Sequence, residues 1–241
     1  MKNPFFSIVV ISLNAEKTIS ETVSSILSQN FENFEIVIKD GMSTDNTLQS
    51  VPSNDHIKIY AEKDNGIYDA MNQAISYCNG DYVFFLNCGD LFFDEFVLQN
   101  AYNGIIKKPD CCLYGDFFDT SSQKFVKQDY SLCKYFWFRT TLCHQSVFFK
   151  RDFLNENSFD TSFKIAADFV LMFSLYKNGT LFCYEPFVVS KYDRNGVSST
   201  KNGRKINKLE KKRFIKTNFT PYERFVFSLK SIFSRILKKR Y

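Results

Sequence analysis

The sequence lacks the features that mark membrane-spanning, exported or disulfide-rich proteins. No apolar stretch approaches the roughly 18 residues of a membrane span, and the first residues do not form a signal peptide. The seven cysteines are odd in number and include no C-x-x-C pair, which argues against a disulfide framework and a zinc site. We therefore expect a cytoplasmic protein whose thiols are reduced and mainly buried.

Glycine-rich phosphate loops are absent as well. Residues 12–16, which follow the first predicted strand, contain no glycine. They form neither the G-x-G-x-x-G of a dinucleotide fold nor the G-x-x-x-x-G-K-[ST] of a P-loop. A nucleotidyltransferase acting on sugar phosphates should carry such a loop there, so this class of enzyme is kept only as an alternative.

Charge divides the chain into an acidic body and a basic tail. Residues 201–241 carry 14 Lys or Arg against two acids, a net charge of +12, so the overall +5 leaves −7 for residues 1–200. With 44% apolar residues in the chain, the body can bury one sizeable core. We predict one main domain over residues 1–200 and a basic helical tail over residues 201–241.

The end of the tail has the pattern of a helix that lies on a membrane surface. Between residues 222 and 241, apolar residues recur at helical spacing, and basic residues occupy the rest of the helix. The apolar residues are Phe225, Leu229, Ile232, Phe233, Ile236 and Leu237. We expect an anionic membrane surface as partner. The alternative is packing on the main domain, and nucleic acid is disfavoured because no reading motif is recognisable.

The first 90 residues alternate between strand and helix patterns. The predicted strands are 6–11, 34–38, 57–60 and one that ends at residue 87, and the predicted helices are 17–29, 44–50 and 67–78. The first strand is a continuous apolar run, as expected of a strand covered on both faces. Short connections between alternating elements predict an α/β fold with a Rossmann-like, mainly parallel sheet between helices.

Two of the predicted strands are followed closely by an acidic residue. Asp40 follows the second strand and can accept hydrogen bonds from a nucleobase or a ribose. Asp90 follows the fourth, where a divalent metal and phosphates would meet, because α/β proteins bind ligands beyond the carboxyl ends of their strands. The alternative is that both residues begin ordinary turns into the next helix.

Several motifs follow one another in order between residue 5 and about residue 200. They are Ser7-Ile8-Val9-Val10 through Asn14, Asp40-Gly41-x-Ser43-Thr44-Asp45-x-Thr47, Asp64-Asn65-Gly66-Ile67-Tyr68-Asp69, Leu86-Asn87-Cys88-Gly89-Asp90, Cys143-His144-Gln145-Ser146 and Ala166-Ala167-Asp168-Phe169. Together they resemble the family 2 glycosyltransferases, with their GT-A fold. More narrowly, they are similar to bacterial transferases of colanic acid, O-antigen and capsule assembly.

The resemblance implies a donor site for a nucleotide diphosphate sugar, taken here as a UDP-sugar. Asp40 would bind the uracil or the ribose. The other residues that it places beside the nucleotide, the diphosphate or the sugar are Leu13, Asn14, Glu16, Asp64, Gly66, Asp69, Asn87, His144 and Gln145. For His144, contact with a phosphate or the acceptor is the functional interpretation, and a hydrogen-bonded core histidine is the alternative.

Asp90 matches the last carboxylate of the family's metal-binding motif. Asn87 and Gly89 stand where many members have acids, which weakens the match. One carboxylate, water and two diphosphate oxygens can still satisfy Mg²⁺ or Mn²⁺, since both ions prefer oxygen ligands. We therefore expect a Mn²⁺ or Mg²⁺ cofactor held by Asp90.

Asp168 matches the acid of the family's "ED" motif and is the candidate catalytic base. Its neighbours along the chain are apolar, which we expect to raise its proton affinity. A helix-capping aspartate is the alternative. A base that activates a hydroxyl on the face opposite the leaving group would invert the anomeric centre.

These inferences predict an inverting, metal-dependent hexosyltransferase. It would act on a lipid-linked saccharide, of the polyprenyl diphosphate kind, during surface-polysaccharide assembly, at the inner face of the cytoplasmic membrane. The basic tail would hold it against anionic headgroups. A non-catalytic membrane or polyanion-binding protein remains the other alternative, but it leaves Asp40, Asp90 and Asp168 without a common purpose.

Overall fold

The computed structural model describes residues 3–193 and 196–238, and within them the chain forms nine strands and eight α-helices. The strands are β1 (Phe6–Ser12), β2 (Phe34–Asp40), β3 (Ile57–Ala61), β4 (Tyr82–Phe85), β5 (Leu91–Phe92), β6 (Cys111–Asp119), β7 (Lys124–Val126), β8 (Val147–Lys150) and β9 (Leu181–Tyr192). The helices are α1 (Ile19–Leu27), α2 (Ile67–Ile75), α3 (Val97–Lys107), α4 (Lys134–Arg139), α5 (Arg151–Glu156), α6 (Ala167–Lys177), α7 (Lys201–Asn218) and α8 (Pro221–Lys238).

The strands form one mixed sheet in the order β3-β2-β1-β4-β8-β6-β9-β5, and β7 pairs with β6. β1 to β4 are parallel, as predicted from the first 90 residues. Beyond them β8 runs antiparallel to both β4 and β6, and only β6 and β9 are parallel. The α/β fold class is confirmed, and the sheet is mainly parallel only in its N-terminal half.

Both faces of the sheet are covered by apolar side chains. In β4, Val83 and Phe85 point into one core and Tyr82 and Phe84 into the other, because successive side chains of a strand alternate between faces. α2, α6 and α7 contribute to the first core, and α1 and α3 to the second. The seven cysteines all lie among the described residues and form no disulfide bond there.

The predicted helix over residues 44–50 is wrong, since the segment has only a 3₁₀ turn at Leu48–Ser50. Side chains of this segment and of Asn14 accept from its backbone N–H groups in a turn. Asp45 Oδ1 accepts from the N–H of Thr47 at 3.0 Å, and Asn14 Oδ1 accepts from the N–H of Thr44 at 2.9 Å. Short polar side chains compete with helix formation in this way.

The contacts of α7 bear on the predicted boundary at residue 200. α7 lies against the main domain, where Phe214 and the following Phe219 are buried in the same core as Phe169 and Phe173. The ring centroids of Phe214 and Phe169 are 5.0 Å apart. The first helix of the basic segment is therefore part of the domain's core.

The second tail helix, α8, packs on α4 through only part of its surface. Phe227 contacts Tyr135 and Phe138, and Glu223 forms an ion pair with Lys134 at 2.6 Å. Tyr222, Phe225, Leu229 and Ile232 remain exposed. The predicted apolar side chains beyond residue 232 lie outside the described ones, and no helix in the described chain is long and apolar enough to cross a membrane.

We expect Phe214→Ala to lower the free energy of unfolding by about 3 to 5 kcal/mol, because it removes a ring that is 6% exposed in the main core. Phe225→Ala, which truncates a ring that is 64% exposed, is the matched control and should change it little. Urea denaturation followed by fluorescence measures both. Equal effects of the two substitutions would show that α7 does not belong to the domain.

Candidate active site

The loops after β1 and β2 are joined by side-chain hydrogen bonds. Ser43 Oγ accepts from the N–H of Asn14 at 2.8 Å, and Glu16 Oε2 accepts from the N–H of Asn46 at 3.1 Å. Asn14 has a φ of 51°, and its neighbour Leu13 is 58% exposed. Asn14 and Glu16 therefore shape this edge of the sheet, and Leu13 offers an open apolar surface there.

Asp40 and Asp64 lie at the carboxyl ends of β2 and β3. Asp40 is fully buried, and its carboxylate accepts from the N–H of Ser43 at 2.9 Å and from its hydroxyl at 2.6 Å. Asp64 forms an ion pair at 3.3 Å with Lys39, whose side chain is fully buried. Both predicted acids therefore lie at the carboxyl edge of the parallel strands, and each one binds another group of the protein.

Gly66 and Asp69 form the start of α2. Gly66 has a φ of +122°, a conformation that favours glycine, and its N–H donates to Asp64 at 3.0 Å. Asp69 Oδ2 accepts from the N–H of Asn65 at 2.8 Å. These contacts fix the loop between β3 and α2 at the predicted donor site.

Asp90 is buried just after β4 and holds two elements together. Its Oδ1 accepts from the backbone N–H of Asp193 at 2.8 Å, and its Oδ2 accepts from Gln145 Nε2 at 3.1 Å. Gly89, with a φ of +99°, makes the turn that directs Asp90, and its N–H donates to Thr22 at 3.0 Å. Burial raises the pKa of Asp90 to about 6, against the effect of these hydrogen bonds.

The oxygen atoms near Asp90 fit a divalent cation only in part. Asn87 Oδ1 is buried and has no hydrogen-bond partner among the described residues, and together with the Asp90 carboxylate it offers the hard oxygen ligands that Mg²⁺ and Mn²⁺ prefer. Among the residues described, no group of three His, Cys, Asp or Glu could hold a metal. The two side chains therefore fit an ion whose other ligands come from phosphate and water.

His144 and Asp168 face each other across the site. His144 Nδ1 lies 3.1 Å from Asp168 Oδ2 and must donate there, because an ionised carboxylate only accepts. The other ring nitrogen, Nε2, lies 3.4 Å from Asn87 Nδ2. Asp168 Oδ1 accepts from the backbone N–H of Phe169 at 2.8 Å, and the hydroxyl oxygen of Tyr68 lies 3.3 Å from it.

The expected rise in the proton affinity of Asp168 is wrong. Burial does act to raise its pKa, but the hydrogen bond and the charge of His144, the N–H of Phe169 and the charge of Lys211 outweigh burial and lower the pKa. The apolar neighbours in sequence do not surround the carboxylate itself. Asp168 is therefore ionised at neutral pH and ready to accept a proton.

One 3₁₀ turn links Asp90 to Asp168, because Gln145 and His144 are consecutive in it. These four residues are therefore joined in one site. Burial raises the pKa of the Cys88 thiol to about 12, with smaller contributions from the charges of Asp40 and Asp90.

Three contributors to this site are missing from the sequence-based prediction. Tyr68 and Asp193 contact Asp168 and Asp90 as described above, and Glu210 accepts from the N–H of Ala166 at 3.0 Å. Glu210 had one available signal, as an acid in an otherwise basic segment. Tyr68 lies in one of the motifs that carry the resemblance, but its approach to Asp168 spans 100 positions of the chain, and the contact of Asp193 with Asp90 spans 103.

A sheet whose carboxyl edge carries buried acids opposite an ionised Asp–His pair is the arrangement of an α/β enzyme that binds its ligands at the strand ends. The chain belongs to glycosyl transferase family 2, whose model matches residues 7–179. It is accordingly a glycosyltransferase.

A curated relative from Escherichia coli is named UDP-Glc:alpha-D-GlcNAc-diphosphoundecaprenol beta-1,3-glucosyltransferase WfgD. The two chains are 28% identical over 211 residues, which cover 83% of this chain and 82% of the relative. The match therefore extends over nearly the whole length of both proteins.

Two solved structures share the fold. S. aureus TarS 1-349 in complex with UDP-GlcNAc gives a TM-score of 0.69 at 19% identity and covers 85% of this chain. The mannosyltransferase PcManGT from Pyrobaculum calidifontis, in complex with GDP-Man and Mn2+, gives 0.62 at 19% identity and covers 80%. The chain spans 64% and 57% of those two chains. At this identity the comparison establishes the GT-A fold alone.

We expect Asp90→Asn to stabilise the metal-free protein at pH 7 by about 1 to 3 kcal/mol, because a carboxyl whose pKa is about 6 instead of 3.8 is ionised at a cost to folding. The free-energy cost of ionising Asp90 is absent below pH 4 and complete above pH 6. The stabilisation by Asp90→Asn should therefore grow between these two pH values. Thermal unfolding in EDTA at several pH values measures it. The control is Asp94→Asn at an exposed acid, and a pH-independent gain would contradict the assignment.

Proposed function

We propose that the protein transfers a hexose from a UDP-sugar, with inversion, to a saccharide linked to a polyprenyl diphosphate, in the assembly of a bacterial surface polysaccharide. The observation that carries this proposal is the hydrogen-bonded path from Asp90 through Gln145 and His144 to Asp168. It supports a site in which Asp168 is the base on one side and the diphosphate lies beside Asp90 on the other.

Asp168 takes the proton from the attacking hydroxyl of the acceptor. The hydroxyl oxygen forms a bond to the anomeric carbon while the bond from that carbon to the diphosphate oxygen breaks, so the electron pair leaves with UDP. His144 binds Oδ2 of Asp168 and the N–H of Phe169 binds Oδ1, so the carboxylate is held in place for the acceptor hydroxyl to approach a remaining lone pair. Because the base and the diphosphate lie on opposite faces of the sugar, an α-linked donor gives a β-linked product.

Asp90 and Asn87 would hold the Mn²⁺ or Mg²⁺ ion. When bound, such an ion neutralises the charge that develops on the departing diphosphate. The Mn2+ named with PcManGT supports this choice of cofactor. Asp40, Asp64 and the loop around Leu13 would bind the nucleoside.

The lipid-linked acceptor is supported by the name of the E. coli relative and by the tail. α8 exposes Tyr222, Phe225, Leu229 and Ile232 on a helix of the segment whose net charge is +12. Such a surface binds anionic lipids through apolar insertion and through about 1 kcal/mol for each nearby Lys or Arg. The enzyme would therefore work at the inner face of the cytoplasmic membrane.

The first test measures transfer from UDP-hexoses to a short-chain polyprenyl-diphosphate saccharide, together with the binding of UDP and GDP with and without Mn²⁺. We expect Asp168→Asn to lower turnover by about 10²- to 10⁴-fold while UDP binding persists, because it removes only the base. We expect Asp90→Ala to weaken Mn²⁺-dependent UDP binding.

Asp160→Asn is the control, since it changes an exposed acid in the turn that precedes α6. It should leave turnover and UDP binding unaltered. Wild-type protein that binds neither nucleotide, in Mn²⁺ or without it, would refute the donor site.

If the basic tail attaches the protein to lipid, we expect the protein to bind vesicles of phosphatidylcholine that contain phosphatidylglycerol. High salt should weaken this binding because it screens the charges. The double change Phe225→Ser with Leu229→Ser should reduce co-sedimentation with these vesicles, because it removes two exposed apolar side chains of α8. Leu209→Ser, at an exposed leucine of α7, is the matched control. If loss of residues 221–241 leaves vesicle binding unchanged, α8 is not the attachment site.

A further inference from the structure

Glu210 of α7 reaches into the main domain. Its Oε1 accepts a hydrogen bond from the backbone N–H of Lys164 at 2.7 Å, and its Oε2 accepts from the N–H groups of Ile165 and Ala166, both at 3.0 Å. Three consecutive N–H groups therefore converge on one carboxylate. Hydrogen bonds to an ionised acceptor are roughly twice as strong as those between neutral groups.

The three N–H groups lead directly into the helix that carries the catalytic base. Ala166 is the residue that caps α6, its side chain has no group to cap with, and Asp168 is the second residue of the helix. A glutamate within the first turn of a helix often accepts from the N–H of the capping residue. Here the glutamate comes from α7, more than 40 residues further along the chain.

The same short segment is held from its other side by Tyr68. The Tyr68 hydroxyl lies 2.7 Å from the carbonyl oxygen of Ile165 and 3.3 Å from Asp168 Oδ1. Glu210 thus binds the N–H side of the segment, and Tyr68 donates its single hydroxyl proton to the carbonyl side, with its oxygen beside the base. A shift of residues 164–166 would move Asp168 relative to both Tyr68 and His144.

We propose that Glu210 is a positioning residue for the transfer reaction: by holding residues 164–166, it sets the place of Asp168 opposite His144 and makes α7 a working part of the active site. The proposal rests on the proposed function, in which Asp168 takes the acceptor proton. It assigns to the basic segment a role in turnover that is separate from membrane attachment.

The docking of α7 also brings Lys211 to the base. Lys211 Nζ lies 5.1 Å from the centre of the Phe169 ring, and its charge is one of the influences that lower the pKa of Asp168. The charged and titratable groups around Asp168 are therefore His144 from the 3₁₀ turn, Tyr68 from α2, and Glu210 and Lys211 from α7. Two of these four depend on the position of α7.

The test compares Glu210→Gln with Glu223→Gln in a soluble assay with a short-chain acceptor. Glu210→Gln keeps the shape of the side chain but loses the charge and turns an amide N–H₂ group toward the N–H donors. We expect kcat to fall about 10-fold or more, with the KM for the UDP-sugar within about twofold of the wild-type value, since misplacement of a reacting group slows the chemical step.

Glu223→Gln is a matched control from the same basic segment. Glu223 also fixes a tail helix, with Lys134 Nζ at 2.6 Å and the N–H of Thr220 at 2.8 Å, but its hydrogen bonds do not reach α6. We expect its kcat to equal that of the wild type. A purely structural role of the two acids would instead give similar losses in both variants.

A double-mutant cycle with Asp168→Asn separates positioning from general destabilisation. If Glu210 acts through Asp168, Glu210→Gln causes no further loss in the Asp168→Asn background. An equal loss in both backgrounds, or a kcat for Glu210→Gln that matches the Glu223→Gln control, overturns the proposal.

Hydrogen–deuterium exchange tests the contact without any need for turnover. Glu210→Gln should speed amide exchange in peptides that contain residues 164–169, and Glu223→Gln should not. If wild-type protein transfers no sugar, the proposed function fails. Hydrogen–deuterium exchange then tests only whether Glu210 holds residues 164–166. Unchanged exchange in Glu210→Gln overturns that contact.

Discussion

The 3₁₀ turn at His144–Ser146 is the constraint on which the site depends. Gln145 binds the buried carboxylate of Asp90 at 3.1 Å, and the adjacent His144 binds that of Asp168 at the same distance. The first acid follows a strand of the parallel half of the sheet, and the second lies in the first turn of α6. Two neighbouring side chains therefore fix the separation between the predicted diphosphate position and the base.

The turn lowers the pKa of both carboxylates, but burial outweighs its effect at Asp90. Asp90 receives one amide and one backbone N–H, and burial dominates, so its pKa rises to about 6. Asp168 is buried too, but the hydrogen bond and the charge of His144 lower its pKa. Pairs of acids that the protein drives apart in pKa commonly divide a reaction between them. In the proposed function, Asp90 would serve the diphosphate and Asp168 the proton.

The sequence alone predicts the elements whose pattern is local, and the structure adds those that depend on distant contacts. Apolar runs and helical spacing predict β1 to β4, α1 and α2, and the acids at strand ends follow from the parallel sheet. The segment predicted as a helix at 44–50 is instead a loop that hydrogen-bonds to Asn14, 30 residues away. Periodicity likewise says nothing about Tyr68, Asp193 or the low pKa of Asp168, since each arises between elements far apart in the chain.

By composition, the basic segment looks separate from the acidic body. Its first helix nevertheless packs as part of that body. A net charge of +12 over residues 201–241 suggests an appendage, yet Phe214 is buried in the main core and Glu210 accepts three N–H groups beside the base. α8 follows α7 after two residues, and its side chains Phe225 and Leu229 are exposed. In the proposed function the chain segment that touches lipid is thus joined through one packed helix to the segment that holds the base. The distance between the membrane surface and Asp168 would then be set by the packing of α7 on the domain. A lipid-linked acceptor would meet the base at that distance.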